Sequence, residues 1–266
     1  MLQVFSDFDF TISRLWLDDG TKGPSSHGVI EAALPGQFNV IARQIFDTYY
    51  PIEIDPTLTI EQKIPSMIEW WNSTHANMIA SGLTKAHLLA TCQKSGIVVR
   101  DGFSTLAQSL LDEKIPLLIF SAGIADVLDG VIRALGLSHP NQTIIGNRMI
   151  FQEEEEGETG GSDGGKLIAV RDPLIHVFNK NEALKMHLEY FEAQRNRKNS
   201  ILMGDSLGDL KMVEGVDSLA NCLTIGFLNT KIDELLGRYM DHFDIVLVDD
   251  NTMDVPNQIL DSVKAT

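Results

Sequence analysis

Four short apolar runs do most to limit the folds open to this chain: "IPLLIF" at 115–120, "SILMG" at 200–204, "CLTIGF" at 222–227 and "DIVLV" at 244–248. Each has the length of a strand and is apolar almost throughout, as strands are when both faces of their sheet are covered. Helix-patterned stretches at 123–135, 181–195, 207–214, 231–240 and 255–264 lie between and after them. That alternation predicts an α/β fold with a doubly wound parallel sheet. A first strand opens the chain in "VFSDFDF", but no second strand follows directly. Residues 15–35 are rich in Gly, Ser and Pro, and three helix-like segments come next, at 37–50, 60–81 and 85–95. The middle one has a capping-box start, Thr59 with Gln62 three residues on. Its apolar positions Ile64, Met67, Ile68, Trp71, Met78 and Ile79 keep helical spacing, and Gly82 is placed to end it. The expected organisation is a core of residues 1–14 and 101–266, with a helical cap of residues 15–100 inserted after the first strand.

The charge balance narrows the function. Acidic residues outnumber basic ones 37 to 21, a formal net charge of −16, which argues against nucleic acid as a partner, since that requires a basic face. An anionic substrate must then be drawn in by a local positive group, most simply a metal ion. Cys92 and Cys222 have no ligand spacing and suit a reducing compartment. No apolar run approaches the ~20 residues of a membrane span, so a cytoplasmic protein without a membrane partner is expected. The segment "EEEEGETGGSDGG" at 153–165 offers nothing to a core and reads as a solvated loop.

In an open α/β sheet, ligands sit at the carboxyl ends of the strands. Asp7 and Asp9 close the first strand, on one face of it with Phe8 on the other. Ser121 follows "PLLIF", Asp205 and Asp209 follow "SILMG" in "GDSLGD", and Lys180 stands just before a helix in "HVFNKNE". Singly, each has an ordinary explanation: a chance doublet, a helix cap, a turn, a solvated lysine. Together they supply complementary chemistry. Carboxylates can share one Mg²⁺, a hard ion that takes oxygen ligands, and the ion relieves their mutual repulsion. A hydroxyl and an ammonium complete an anion cradle, and Lys180 at a helix start opposes the helix dipole, which favours a role for it.

DFDFT, Ser121 after a strand, Lys180 and GDSLGD, in this order, resemble the haloacid dehalogenase superfamily of phosphohydrolases. "YYPIEIDPTLTIEQK", "IEWW", "FSAGIADVL", "LIHVFNKN", "MGDSLGDLKM" and "YMDHFDIVLV" are similar to the cytosolic 5′-nucleotidase III (pyrimidine 5′-nucleotidase) family, from residue 4 to about 264. The Trp70–Trp71 pair after Glu69 resembles the branch that also accepts 7-methylguanosine monophosphate. The loop at 153–165 is longer than the family's hairpin, and the chain starts almost at the first motif.

The resemblance implies a Mg²⁺-dependent phosphoric monoester hydrolase acting on nucleoside 5′-monophosphates (7-methyl-GMP and CMP, with UMP a further candidate) as a monomer. In it, Asp7 is the nucleophile that forms an aspartyl phosphate, and Asp9 is the acid and then the base. Mg²⁺ is held by the Asp7 carboxylate, the Asp9 backbone carbonyl and the Asp205 carboxylate. Asp209 is left between a place beside the metal and a partnership with Lys180. Ser121, the Ala122 backbone and Lys180 hold the phosphoryl oxygens. Glu53 and Thr74 contact the nucleotide, while Trp71 is open between a substrate contact and cap packing, and His75 is expected to pack. Two rivals remain at this level: a phosphatase of the phosphoserine-phosphatase kind, and a phosphate-binding relative without catalysis.

Overall fold

Successive residues of the central strands point to opposite sides of one sheet, and both sides are buried. In the computed structural model, which describes residues 1–34, 36–55, 57–152, 164–176, 178–179, 188–214, 216 and 218–264, the chain opens with β1 (Leu2–Ser6). Val4 of β1 joins one apolar cluster and Phe5 the other. In β2 (Leu117–Ile124), Leu117 and Ile119 go to the first cluster, Leu118 and Phe120 to the second. The same period of two explains why these runs read as continuously apolar. β3 (Gln142–Asn147) completes one wing. The other wing holds β6 (Asn199–Gly204), β7 (Asn221–Leu228) and β8 (Ile245–Val248), each parallel to its neighbour. The order is β3-β2-β1-β6-β7-β8, the doubly wound arrangement, with its switch of direction between β1 and β6. Two further strands, β4 (Met149–Phe151) and β5 (Leu167–Val170), pair antiparallel as a separate ribbon.

The α/β class and parallel sheet are those expected. β3, β4 and β5 are additions that the apolar runs do not announce, because their residues are half-exposed and mixed in character. Residues 153–163, most of the acidic segment, lie outside the described residues, as do Lys180 and the stretch 181–187.

Among the described residues, five helices lie between β1 and β2. α1 (Ser26–Ala33) arises inside the Gly/Ser/Pro-rich region, started by Ser25, whose side chain accepts from the Gly28 amide. α2 (Gly36–Ile54) continues through Pro51, past the expected end at residue 50, and so carries Glu53 on its last turn. α3 (Ile60–Ala80) has both halves of the Thr59–Gln62 capping box, and Gly82 follows it at φ +73°. α4 (Lys85–Cys92) is capped by Thr84. α2 packs along α3, whereas α1 and α4 pack on α6 (Ala125–Ala134), which follows β2. α5 (Phe103–Asp112) and α9 (Asp254–Lys264) cover the same side of the sheet. The opposite side is covered by α7 (Leu188–Gln194), a 3₁₀ segment at Leu207–Val213 and α8 (Ile232–Met240). No helix among the described residues is long and apolar enough to cross a membrane.

Candidate active site

The chain turns sharply where β1 ends. Phe10 has φ +62°, a conformation disfavoured for a bulky side chain. Arg100, 1% exposed, secures it by donating to the carbonyls of Phe10 and Thr11, both at 2.7 Å, and to Asp250. Asn229 also donates to the Phe10 carbonyl, at 3.0 Å. Burial lowers the Arg100 pKa to about 10, partly offset by Asp205 and Asp250, so the anchor stays cationic at neutral pH. The turn holds Asp7 and Asp9 at the carboxyl end of the central strand.

Asp205 and Asp209 approach from the neighbouring strand. The Asp209 carboxylate accepts from the amide and hydroxyl of Ser206, both at 2.9 Å, closing the tight 3₁₀ turn. It lies so close to Gly204 that a Cβ there would stand 2.5 Å from the Asp209 Cβ and 2.7 Å from its Oδ2. Tyr239 donates to the Asp205 carbonyl at 2.5 Å, and burial, then the charges of Asp205 and Asp209, push its pKa up. Asp7, Asp205 and Asp209 each offer a carboxylate oxygen within 4.8 Å of the others, and Asp7 and Asp209 are buried. Three hard oxygen donors at this spacing fit an oxygen-preferring divalent cation. The expected set was Asp7, Asp9 and Asp205; the structure brings the Asp209 carboxylate to the cluster as well.

Asp9 faces the other way. Its Oδ1 accepts from the Ser26 amide at 2.7 Å and its Oδ2 from the Ser26 hydroxyl at 2.5 Å. Two donors from the first residue of α1 complement a carboxylate. Gly123 makes room: a Cβ there would lie 2.7 Å from the Ser26 Oγ and 3.2 Å from the Ser121 Oγ. Ser121, 3% exposed, accepts from the Gly123 amide at 3.0 Å. It lies within β2, at the irregular end where pairing with β3 shifts register. Asn147 donates to the Ala122 carbonyl at 2.7 Å and exchanges hydrogen bonds with Ile175, tying β2 to the segment that leads towards Lys180. Lys180 itself lies outside the described residues.

From this carboxylate end a cleft of about 660 Å³ extends between the sheet and the α1–α3 helices. Asp7, Asp9, Ser121, Ala122, Asp205 and Asp209 line its floor; Glu53, Trp71 and Thr74 line its far wall. Burial raises the Glu53 pKa, with Lys63 acting against it, and the Lys63 ammonium donates to the Glu53 carbonyl at 2.8 Å. The wall is otherwise aromatic. Trp70 stacks on Tyr49 at 6.2 Å and meets Phe46 edge-on at 5.9 Å; Phe46, Tyr50 and Trp70 all reach the cleft. His75 lies behind Trp71, 5.5 Å away and 8% exposed, which agrees with a packing role.

The sequence reading passes over Ser26, Gly123, Phe46, Tyr50 and the α1 pair His27 and Glu31, all of which line the cleft. The only available signal for α1 is the Ser25 cap ahead of "VIEAA", submerged in a region that reads as loop.

Residues 10–264 match the family described as "Pyrimidine 5'-nucleotidase (UMPH-1)". A 7-methylguanosine phosphate-specific 5′-nucleotidase of Mus musculus is 40% identical over 261 residues, covering 97% of this chain and 83% of the mouse protein. The crystal structure of cytosolic 5′-nucleotidase IIIB bound to cytidine is similar with a TM-score of 0.89 at 35% identity, over 99% of this chain and 86% of that one. A phosphoserine phosphatase, seen as an analogue of its phospho-aspartyl intermediate, is similar with a TM-score of 0.57 at 14% identity, over 97% of both chains. At that identity the likeness shows the shared fold alone.

Proposed function

The chain belongs to the pyrimidine 5′-nucleotidase family, on a haloacid dehalogenase-like fold, and we propose that it is a Mg²⁺-dependent 5′-nucleotidase hydrolysing 7-methyl-GMP and CMP, with UMP a further candidate. One observation carries this reading: a single cleft has four aspartates and Ser121 on its floor and Glu53 among aromatic rings on its wall. A phosphoryl group fits the first and a nucleobase the second. A phosphoserine-sized substrate would leave the aromatic wall without a partner.

The steps follow from the chain's own groups. An Asp7 carboxylate oxygen attacks phosphorus, and the bond from phosphorus to the ribose 5′-oxygen breaks. Asp9, protonated, gives its proton to that departing oxygen. As a carboxylate it then takes a proton from the water that attacks the aspartyl phosphate. Phosphate leaves, Asp7 is restored and Asp9 is protonated again, so the cycle balances. Ser121, the Ala122 backbone amide and Lys180 orient the phosphoryl oxygens, the positioning and charge stabilisation on which phosphoryl transfer depends. Asp7, Asp205, Asp209 and the Asp9 carbonyl would hold Mg²⁺, which supplies positive charge against the phosphoryl oxygens.

The α2–α3 pair and its flanks, within residues 15–100, serve as the cap that selects the base, with Glu53 and Thr74 contacting the nucleotide. A monomer is the expected state, and Cys92 and Cys222, both free thiols, suit a reducing, cytosolic location. The test is phosphate release from 7-methyl-GMP, CMP and phosphoserine, with Mg²⁺ and with chelator. Release from the two nucleotides only, dependent on Mg²⁺ and lost by at least about 10³-fold in Asp7→Asn, is expected. Retention of a tenth of turnover in that variant would exclude the covalent route, and a preference for phosphoserine would exclude the function.

A further inference from the structure

Lys63 takes no part in the chemistry above, yet it stands where a cation is disfavoured. It is the fourth residue of α3, in the first turn, where the helix dipole opposes a positive charge. Its ammonium reaches across the α2–α3 connection and donates to the Glu53 carbonyl at 2.8 Å. Glu53 is the next-to-last residue of α2, so this carbonyl is among those at a helix end that have no partner within the helix. A lysine there satisfies the acceptor and complements the negative end of the α2 dipole. Pro51 lies in the same turn and supplies no amide to the ladder. The turn that presents Glu53 to the cleft is therefore short of one internal bond, and Lys63 holds it from outside.

The same ammonium lies 5.9 Å from the centre of the Phe178 ring, within reach of a cation–π contact. Phe178 lies outside the helical wall, in the segment after β5. Its amide donates to His176 Nδ1 at 3.2 Å, the His176 amide to Asn179 Oδ1 at 2.7 Å, and the Asn179 side chain to the Leu174 carbonyl at 2.8 Å. His176 is buried. Through Ile175 and Asn147 this turn is tied to Ala122 on the floor of the cleft. Lys63 thus joins the turn that carries Glu53 to a segment fixed to the phosphoryl floor.

We propose that Lys63 is a positioning residue for base recognition: it fixes Glu53 at the distance from the phosphoryl floor that lets one nucleotide reach both. This deepens the nucleotidase reading above and rests on it. Lys63 does not line the cleft, so it acts through Glu53 and not on the substrate. Its charge also works against the burial that raises the Glu53 pKa, and so favours the carboxylate, the form that only accepts hydrogen bonds.

The test compares CMP with ribose 5-phosphate, which shares its sugar and phosphate and has no base, in the wild type, Lys63→Met and Lys63→Arg. Lys63→Met keeps the apolar stem and removes the donor and the charge. It should raise KM for CMP at least about tenfold, the size of a lost hydrogen bond to a charged group. kcat should change little, as when uniform binding is lost, and KM for ribose 5-phosphate should stay as it was. Lys63→Arg, which keeps a charged donor, should recover most of the loss. In a Glu53→Ala background Lys63→Met should cost CMP nothing further, because a residue that acts through Glu53 has nothing left to position. Equal rises in KM for both substrates, a full additional loss in the Glu53→Ala background, or an unchanged KM for CMP would each overturn the inference and leave the nucleotidase function standing. The Glu53→Ala background decides on CMP alone if ribose 5-phosphate is not turned over. No phosphate released from any nucleotide by the wild type would remove the function, and the inference with it. Lys63 is half-buried on a helix surface, so these variants are expected to fold, and Lys63→Ala supplies the same comparison should Lys63→Met not do so.

Discussion

Both oxygens of the Asp9 carboxylate are held by one residue, Ser26, through its amide at 2.7 Å and its hydroxyl at 2.5 Å. Asp9 follows β1 and Ser26 opens α1, so the orientation of the proposed acid is set by a residue 17 positions away in the chain. The Ser26 side chain is buried with 1% exposure, and solvent cannot substitute for it.

Ser26→Ala removes one of the two donors. A buried charge-assisted hydrogen bond contributes roughly 1.5–3 kcal/mol, so kcat should fall by at least about tenfold. KM should change little, because Ser26 touches Asp9 and not the phosphate. Ser26→Thr, which keeps the hydroxyl, should recover part of the loss. Steady-state kinetics on CMP decides it, and an unchanged kcat would show that Asp9 does not depend on this contact.

Gly204→Ala tests the carboxylate cluster. The new Cβ would sit 2.5 Å from the Asp209 Cβ, and overpacking of this kind costs about 1–3 kcal/mol. Displacement of Asp209 should raise the Mg²⁺ concentration for half-maximal activity as well as lower Tm. A lower Tm with unchanged Mg²⁺ dependence would mean that Asp209 only closes its turn with Ser206.

Trp71→Ala separates substrate contact from packing. 7-Methylguanine is a cation, and a cation over an indole face gains roughly 0.5–2 kcal/mol, or roughly 2- to 30-fold in affinity. Glu53 adds a negative charge on the same wall. The variant should therefore weaken 7-methyl-GMP more than CMP, read as KM for each. Equal losses would make Trp71 a packing residue that supports His75.

His75 should make stability fall in mild acid. Burial, and secondarily His27, lowers its pKa to about 4, with Asp172 acting in the opposite direction; the unfolded value is about 6.5. Between these values the unfolded chain binds more protons, so its contribution is full above about pH 6.5 and is lost as pH falls towards 4. At pH 5 the loss is on the order of 2 kcal/mol. Denaturant midpoints at pH 7 and pH 5 should differ less in His75→Asn than in the wild type, and an equal difference would assign the acid sensitivity elsewhere.

Periodicity and chemistry, both local, made much of this protein legible in its sequence. The runs around Ile119, Leu202 and Ile225 are apolar because each strand faces two buried layers, and the Thr59–Gln62 capping box is a bond between neighbours in the chain. Asp7, Ser121 and Asp205 could be placed at strand ends because a parallel sheet brings the carboxyl ends of its strands together. What the sequence did not show depends on distant parts of the chain meeting. α1 is short and hidden in a region of Gly, Ser and Pro, and it exists as a wall of the cleft because Val29 and Ile30 are buried in the main core. Ser26 acquires its meaning only when that helix brings it to Asp9, and Gly123 only when two hydroxyls must pass where a Cβ would be. A hydrogen bond or a missing methyl between residues far apart leaves no periodic trace, so the tertiary structure alone decided those contacts and, through them, which way Asp9 points.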